Sequence, residues 1–356
     1  MRRTWIRIAV GAVFTPLLVL AIGAWDLRRF AAAPAGTGGA ETVLTIPAGQ
    51  PLAVTAGELE RLGLVQSALK FRLLARWEGY DRRLKAGEYS LTPALTPRDI
   101  LGIMEKGLVR LHRLTVPEGL TIPQIAELID RAGLAAGADV VARATDPAQP
   151  RALGIAADTL EGYLFPETYF FPKTVTVEGI LSAMVGRFRA VFTPEWERRA
   201  AEMGLSAHQA VTLASIIEKE TGAPSERPLI ASVFHNRLKR GMRLETDPTV
   251  IYGVKNFDGN LTRRHLETPT PYNTYMIKGL PPGPIANPGK DSLWAALYPA
   301  QSDYLFFVSR NNGTHEFSTH FAEHNRAVQR FQVAPHGPAP RNRPPSSHQP
   351  AAAPAP

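Results

Sequence analysis

Ala210, Leu213, Ala214 and Ile217 recur at helical spacing, which predicts a helix from Ser206 to Glu220 with one buried stripe. Ser206 and Gln209 have the spacing of a capping box at its start, and Gly222 suits a left-handed stop at its end. Apolar periodicity predicts further helices over 176–191 and 194–203. Another runs from Ser225 to Gly241, with Ile230, Val233, Phe234 and Leu238 as its apolar face. Asp247-Pro248 reads as a turn before a short strand, Val250 to Tyr252. Asp291 to Tyr298 reads as a helix, Tyr304 to Ser309 as a strand, and Thr319 to Phe331 as the last helix. Between them, Glu267 to Ile285 is a long proline-rich loop, and a loop of that length in a compact domain is usually functional.

Upstream, the elements are shorter and mixed. Val43 to Ile46, Gly87 to Leu91 and Leu111 to Val116 read as strands. Thr55 with Glu58, Ser67, Thr96 ahead of Pro97, and Thr121 with Gln124 mark helix starts. Ile46-Pro47-Ala48-Gly49 and Val116-Pro117-Glu118-Gly119 form an internal echo, each ending a strand and leading into a helix. A strand–helix–helix–strand unit with that entrance resembles a LysM module, a small glycan-binding fold; a plain spacer is the alternative. Residues 135–158 are alanine-rich, and the stretch from Leu160 to Pro172 packs five aromatics into thirteen residues, reading as buried loop or strand at a cleft wall.

At the N-terminus, residues 8–25 form an uncharged run preceded by Arg2, Arg3 and Arg7. That length suits a bilayer span, with Trp5 and Trp25 as interface anchors and the first arginines on the cytoplasmic side. A cleaved signal ending near Ala31 is the alternative. The organisation expected is a cytoplasmic N-terminus at 1–7, an anchor at 8–25 and a linker at 26–40. A LysM-like or spacer region follows at 41–150, then a catalytic domain at 155–334 and a proline-rich disordered tail at 335–356. The fold class expected is α+β: a transmembrane helix, small LysM-like modules, then a mixed catalytic domain.

Composition narrows the function. Hydrophobic residues make up 44% and charged residues 20%, which is globular. The net charge of +8 fits an anionic lipid or an acidic polymer. Nucleic acid is disfavoured, since no zinc-ligand spacing, ribonucleoprotein signature or phosphate-cradling glycine loop is present. The absence of cysteine excludes disulfides and thiol catalysis.

Glu218 and Glu220 close the last turn of the central helix. There the helix dipole and apolar neighbours both raise a carboxyl pKa, which a general acid at neutral pH needs. The two lie on opposite sides of Ile217, so they do not face each other. A helical side chain leans over the preceding turn, which sets Glu218 over Ala214 and Ser215 and Glu220 over the bulkier Ile216 and Ile217. Geometry therefore favours Glu218 as the acid, with surface charge on a fraying turn as the alternative.

Several motifs then occur in order. They are Leu213-Ala-Ser-Ile-Ile-Glu-Lys-Glu-Thr221, Ser225-Glu-Arg227, Ser232-Val-Phe-His-Asn-Arg-Leu238 and Met242-Arg-Leu-Glu-Thr-Asp-Pro-Thr-Val-Ile-Tyr-Gly253. Glu267-Thr-Pro-Thr-Pro-Tyr-Asn-Thr-Tyr275 and Gly279-Leu-Pro-Pro-Gly-Pro-Ile285 follow. Together they resemble the MltG/YceG-like endolytic murein transglycosylases of the bacterial inner membrane, over roughly 155–332. The resemblance implies that Glu218 protonates the bond between N-acetylmuramic acid and N-acetylglucosamine, then takes the proton of the C6 hydroxyl, leaving a 1,6-anhydro end. One carboxyl in both roles needs neither metal nor cofactor. Tyr272, Asn273, Thr274 and Tyr275 are the residues expected to position the glycan. Asp247 and Thr249 are expected to orient loop or acid, with Glu220 and Glu245 also in the substrate set. Glu245 departs from the family, whose members commonly carry Gln there. The partners implied are peptidoglycan glycan strands, the inner membrane and peptidoglycan synthases, with the catalytic domain in the periplasm. A hydrolytic muramidase using Asp247 or Glu245 as second carboxylate, and a non-catalytic glycan-binding scaffold, are the alternatives.

Overall fold

The structure, a computed structural model, describes the backbone of residues 2–333 and the side chains of residues 17–333. The tail expected at 335–356 lies outside them. The chain divides into two compact units at Thr193/Pro194, so residues 155–193 belong to the first unit.

The first unit opens with α1 (Arg2–Ala32). Its last turns bury Phe30 and Ala31 in the core, and Asp26 pairs with Lys70 at 2.7 Å. Among the described residues no helix is long and apolar enough to cross a membrane. The span expected at 8–25 begins among residues whose side chains lie outside the description.

After α1 come β1 (Thr42–Ile46), α2 (Leu52–Arg61), α3 (Ala68–Trp77) and β2 (Gly87–Leu91). β1 and β2 pair antiparallel, Thr42 opposite Leu91 and Ile46 opposite Gly87. Next are α4 (Pro97–Lys106), β3 (Leu111–Thr115), α5 (Ile122–Arg131), α6 (Gly137–Thr145), α7 (Ala148–Ala152), β4 (Thr168–Pro172) and α8 (Val177–Val191). β3 pairs antiparallel with β4. The internal echo is therefore structural: two antiparallel strand pairs, each enclosing helices. Gly49 and Gly119 both adopt the left-handed backbone, at φ 79° and 75°, which turns the chain from strand to helix without a Cβ clash. The cap expected at Thr55 does not form. Pro51 caps α2 four residues earlier, leaving Thr55 buried inside the helix, where Gln50 donates to its hydroxyl. The aromatic stretch packs inward: Tyr163 meets Phe188 edge-on at 5.0 Å, and Tyr169 donates to the Phe165 carbonyl.

The second unit holds α9 (Pro194–Glu202), α10 (Ala207–Glu220), α11 (Arg227–Lys239), α12 (Asp247–Gly253), α13 (Arg263–Glu267) and α14 (Lys290–Leu297). The antiparallel hairpin β5 (Phe306–Ser309) and β6 (His315–Ser318) follows, then α15 (Phe321–Val328) and one π-helical turn. α10 is the axis of the unit. It packs against α9, α11, α12 and α14, so residues 210–217 are all buried, not one stripe alone. The Ser206–Gln209 capping box forms as expected.

Two local expectations change. Val250 to Tyr252 is helical, because Thr246-Asp247-Pro248 starts a helix with proline in the first turn, and that outweighs the β-branched pair. Gly222 is not a left-handed stop. α10 ends at Thr221 in extended backbone, its hydroxyl donating to the Ile217 carbonyl. Gly222 instead makes room: a Cβ there would lie 2.8 Å from the carbonyl oxygen of Gly313, at the tip of the β5–β6 hairpin. Gly222→Ala is expected to push the hairpin off the end of α10 and to cost about 1–3 kcal/mol. Differential scanning calorimetry checks it; an unchanged melting temperature would mean that the hairpin yields freely.

Candidate active site

Acidic side chains collect at the C-terminal end of α10, each with a different environment. Glu218 is held from two sides: Oε2 accepts from the backbone N–H of Gly289 at 3.1 Å, at the start of α14, and Oε1 lies 3.5 Å from Arg227. Its side chain is 8% exposed. Arg227 also reaches Asp291, at 3.6 Å. The open space expected beside Glu218 is thus occupied by the start of α14 and by a guanidinium.

Glu220 turns toward α12. The hydroxyl of Thr246 donates to its Oε1. Burial pushes its carboxyl above the usual carboxylate range, and the nearby charge of Asp247 adds to the rise. The Thr246 hydrogen bond, His315 and Arg237 oppose it. Leaning over Ile216 and Ile217 does not shut Glu220 in, because those side chains turn into the core and the α12 start supplies polar partners.

That start is held by a threonine network. Thr274 Oγ1 accepts from the Thr246 N–H at 3.1 Å and shares a hydrogen bond with Thr249 Oγ1 at 2.8 Å; Thr249 also donates to the Thr246 carbonyl. Thr249 and Thr274, expected at the substrate, have no exposed surface, and their hydrogen bonds hold Thr246. Asp247 is exposed and accepts from the Tyr275 hydroxyl at 2.7 Å. Burial and Asp247 together push the Tyr275 phenol far above its ordinary value, so it remains a donor. Glu245 has a left-handed backbone, φ 50°, and its half-exposed carboxylate lies 3.3 Å from Arg237. Arg237 also donates to the carbonyls of Leu305 and Leu244, tying α11 to both neighbouring segments.

Asn273, expected to position the glycan, is built into its own loop. It has no exposed surface; its amide donates to the carbonyls of Leu266 and Thr268 at 3.0 and 2.8 Å, and its oxygen accepts from the Tyr275 N–H. It shapes the loop that carries Tyr275. Tyr272 is half-buried against Tyr252, ring centroids 4.8 Å apart. The far arm of the same loop runs along α10, where the Ile285 N–H donates to Ser215. Thr246, Arg227, Gly289 and the Glu226–His315 pair at 2.7 Å were not singled out in the sequence. Thr246 carries the one signal that was legible, a threonine directly before Asp-Pro. A cavity of about 810 Å³ lined by Arg199, Ser232, His235 and Lys239 shares no residue with this cluster.

The family described as YceG-like matches residues 44–330. The chain belongs to the YceG-like family. An endolytic murein transglycosylase of Bacillus subtilis is 33% identical over 305 residues, covering 81% of this chain and 84% of that protein. One from Streptococcus pneumoniae is 30% identical over 80% of this chain, which spans 57% of that longer protein. A crystal structure of a yceG-like protein from Listeria monocytogenes superposes with TM-score 0.56 at 36% identity, over 80% of this chain and 98% of that one. The YceG-like match thus spans both compact units and includes the whole α10 cluster.

Proposed function

We propose that this protein is a peptidoglycan lytic transglycosylase that cleaves the bond between N-acetylmuramic acid and N-acetylglucosamine, leaving 1,6-anhydro ends. One observation carries the reading: the Glu220 carboxyl, raised in pKa by burial, accepts a hydrogen bond from the Thr246 hydroxyl at the rim of an acidic cluster. Most glycosidases use two carboxylates, one to activate water. Intramolecular closure requires only one.

Glu220 begins protonated and gives its proton to the glycosidic oxygen. The substrate's own acetamido oxygen supports the cation at C1. Glu220, now ionised, is held by the Thr246 hydroxyl and takes the proton of the C6 hydroxyl, which closes on C1. Burial makes the carboxyl a competent acid at neutral pH; the Thr246 hydrogen bond keeps the anion from becoming too strong a base. Asp247 and Tyr275 form a polar edge suited to sugar hydroxyls, and Glu218 acts through Gly289 and Arg227 by positioning α14. The relatives' names support an endolytic cut. The uncharged run at 8–25 supports single-pass anchoring in the inner membrane, with the rest of the chain in the periplasm. The β1–α2–α3–β2 unit is the candidate for LysM-like glycan contact, and peptidoglycan synthases are the partners this location implies.

The specific rival is a hydrolytic muramidase with Asp247 as second carboxylate. Asp247→Asn separates the two. A lytic enzyme is expected to keep turnover within about tenfold, consistent with loss of one hydrogen-bonding group. Loss of all turnover, with hydrated products from the wild type, would favour hydrolysis.

A further inference from the structure

In the first unit, α3 presents two faces of different kinds. Phe71, Leu74 and Ala75 are buried in the core with Tyr89 and Leu101. On the opposite side Leu69, Leu73 and Trp77 are 63%, 48% and 66% exposed. They are spaced four residues apart and so form one stripe along the helix. Arg72 and Arg76, also four apart and also exposed, run beside it. A soluble surface rarely leaves such a stripe uncovered; large apolar side chains bordered by cations are the pattern of a helix lying in a membrane interface.

The neighbouring element carries the argument further. A groove of about 630 Å³ separates α3 from α1, lined by Val19, Leu20 and Leu27 on one side and by Leu69, Leu73 and Trp77 on the other. On α1, Leu17, Leu18, Val19, Leu20, Ile22 and Trp25 are all more than half exposed. The apolar surface is thus continuous from one helix to the other. The Asp26–Lys70 ion pair and the burial of Phe30 and Ala31 fix α3 to the outer end of α1. Trp25, with Arg29 over its ring at 5.8 Å, has the amphipathic character of an interfacial anchor.

We propose that α3 is a membrane-surface helix: its Leu69–Leu73–Trp77 stripe lies in the headgroup–acyl boundary of an anionic bilayer, and Arg72 and Arg76 engage lipid phosphates. The proposal rests on the reading of residues 8–25 as an anchor. If α1 enters the bilayer, the groove beside residues 19–27 sits at the boundary and is filled by lipid chains. The consequence is that the first unit is held flat on the membrane through two elements, not tethered by one.

The test uses the full-length chain reconstituted in vesicles of phosphatidylglycerol and phosphatidylethanolamine, with lipids brominated close to the headgroup. Flotation reports anchoring, and the loss of quenching between wild type and Trp77→Phe reports the depth of Trp77. Floated wild-type protein is expected to show Trp77 emission quenched at least about twofold, as for a ring at the acyl boundary. Arg72→Glu/Arg76→Glu is expected to weaken that quenching while far-UV circular dichroism stays unchanged. Floated protein whose Trp77 emission is unquenched would overturn the proposal and leave the anchor standing; a second copy or another protein covering the stripe gives that result. Protein that fails to float overturns both readings. Leu69→Gln/Leu73→Gln, with Trp77 kept, gives an independent arm: unchanged Trp77 quenching in that variant would also overturn the proposal.

Discussion

Replacing Glu220 by Gln is expected to lower release of anhydro-ended glycans by about 10²–10⁴-fold, the usual contribution of a positioned general acid. Gln keeps an oxygen to accept from Thr246 and nearly the same volume, so the fold should persist. Glu218→Gln is expected to keep measurable turnover, because it changes the pairing with Arg227 and not the transferring proton. The reverse ranking would return the acid to Glu218.

The same substitution has a signature in stability. Burial raises the folded-state pKa of Glu220 above its unfolded value. Between those two values the native protein therefore holds a proton that the unfolded chain has released. Stability then falls as pH rises from the ordinary glutamate range toward the raised value. Glu220→Gln is expected to flatten that part of the curve of stability against pH, measured by chemical denaturation at a series of pH values. An identical slope in both proteins would mean that Glu220 titrates normally.

Asn273→Ala is expected to act on the fold and not on the chemistry. The side chain is buried and its loss leaves several loop carbonyls and the Tyr275 N–H without their partner. The cost is expected to be about 3 kcal/mol, since each stranded buried group costs about 1–3 kcal/mol. For a unit of this size that lowers the melting temperature by about 6–12 °C. Activity per folded molecule at low temperature should change little. A stable variant with much weaker turnover would instead make Asn273 a substrate ligand.

Where local chemistry decides, the fold was legible in the sequence. The Ser206–Gln209 and Thr121–Gln124 capping boxes formed, and the Pro-x-Gly echo marked two equivalent strand ends. What was not legible depended on distant partners. Helical periodicity set Glu218 beside small residues, but the start of α14, some seventy positions later, fills that space. The same periodicity set Glu220 over isoleucines, yet Thr246 and Asp247 from α12 govern it. Asn273 has the chemistry of a sugar ligand, and only its burial assigns that chemistry to the loop. Gly222 was legible as a special position, but its cause is the carbonyl of Gly313, ninety-one residues away.

The most direct test of the central claim is mass spectrometry of muropeptides released from purified peptidoglycan by the wild type and by the Glu220→Gln and Glu218→Gln variants. The account predicts wild-type products one water lighter than hydrolytic ones, as 1,6-anhydro ends require. It predicts none above background from Glu220→Gln, and anhydro products still detectable from Glu218→Gln. Hydrated ends from the wild type, or anhydro products undiminished in Glu220→Gln, would contradict it.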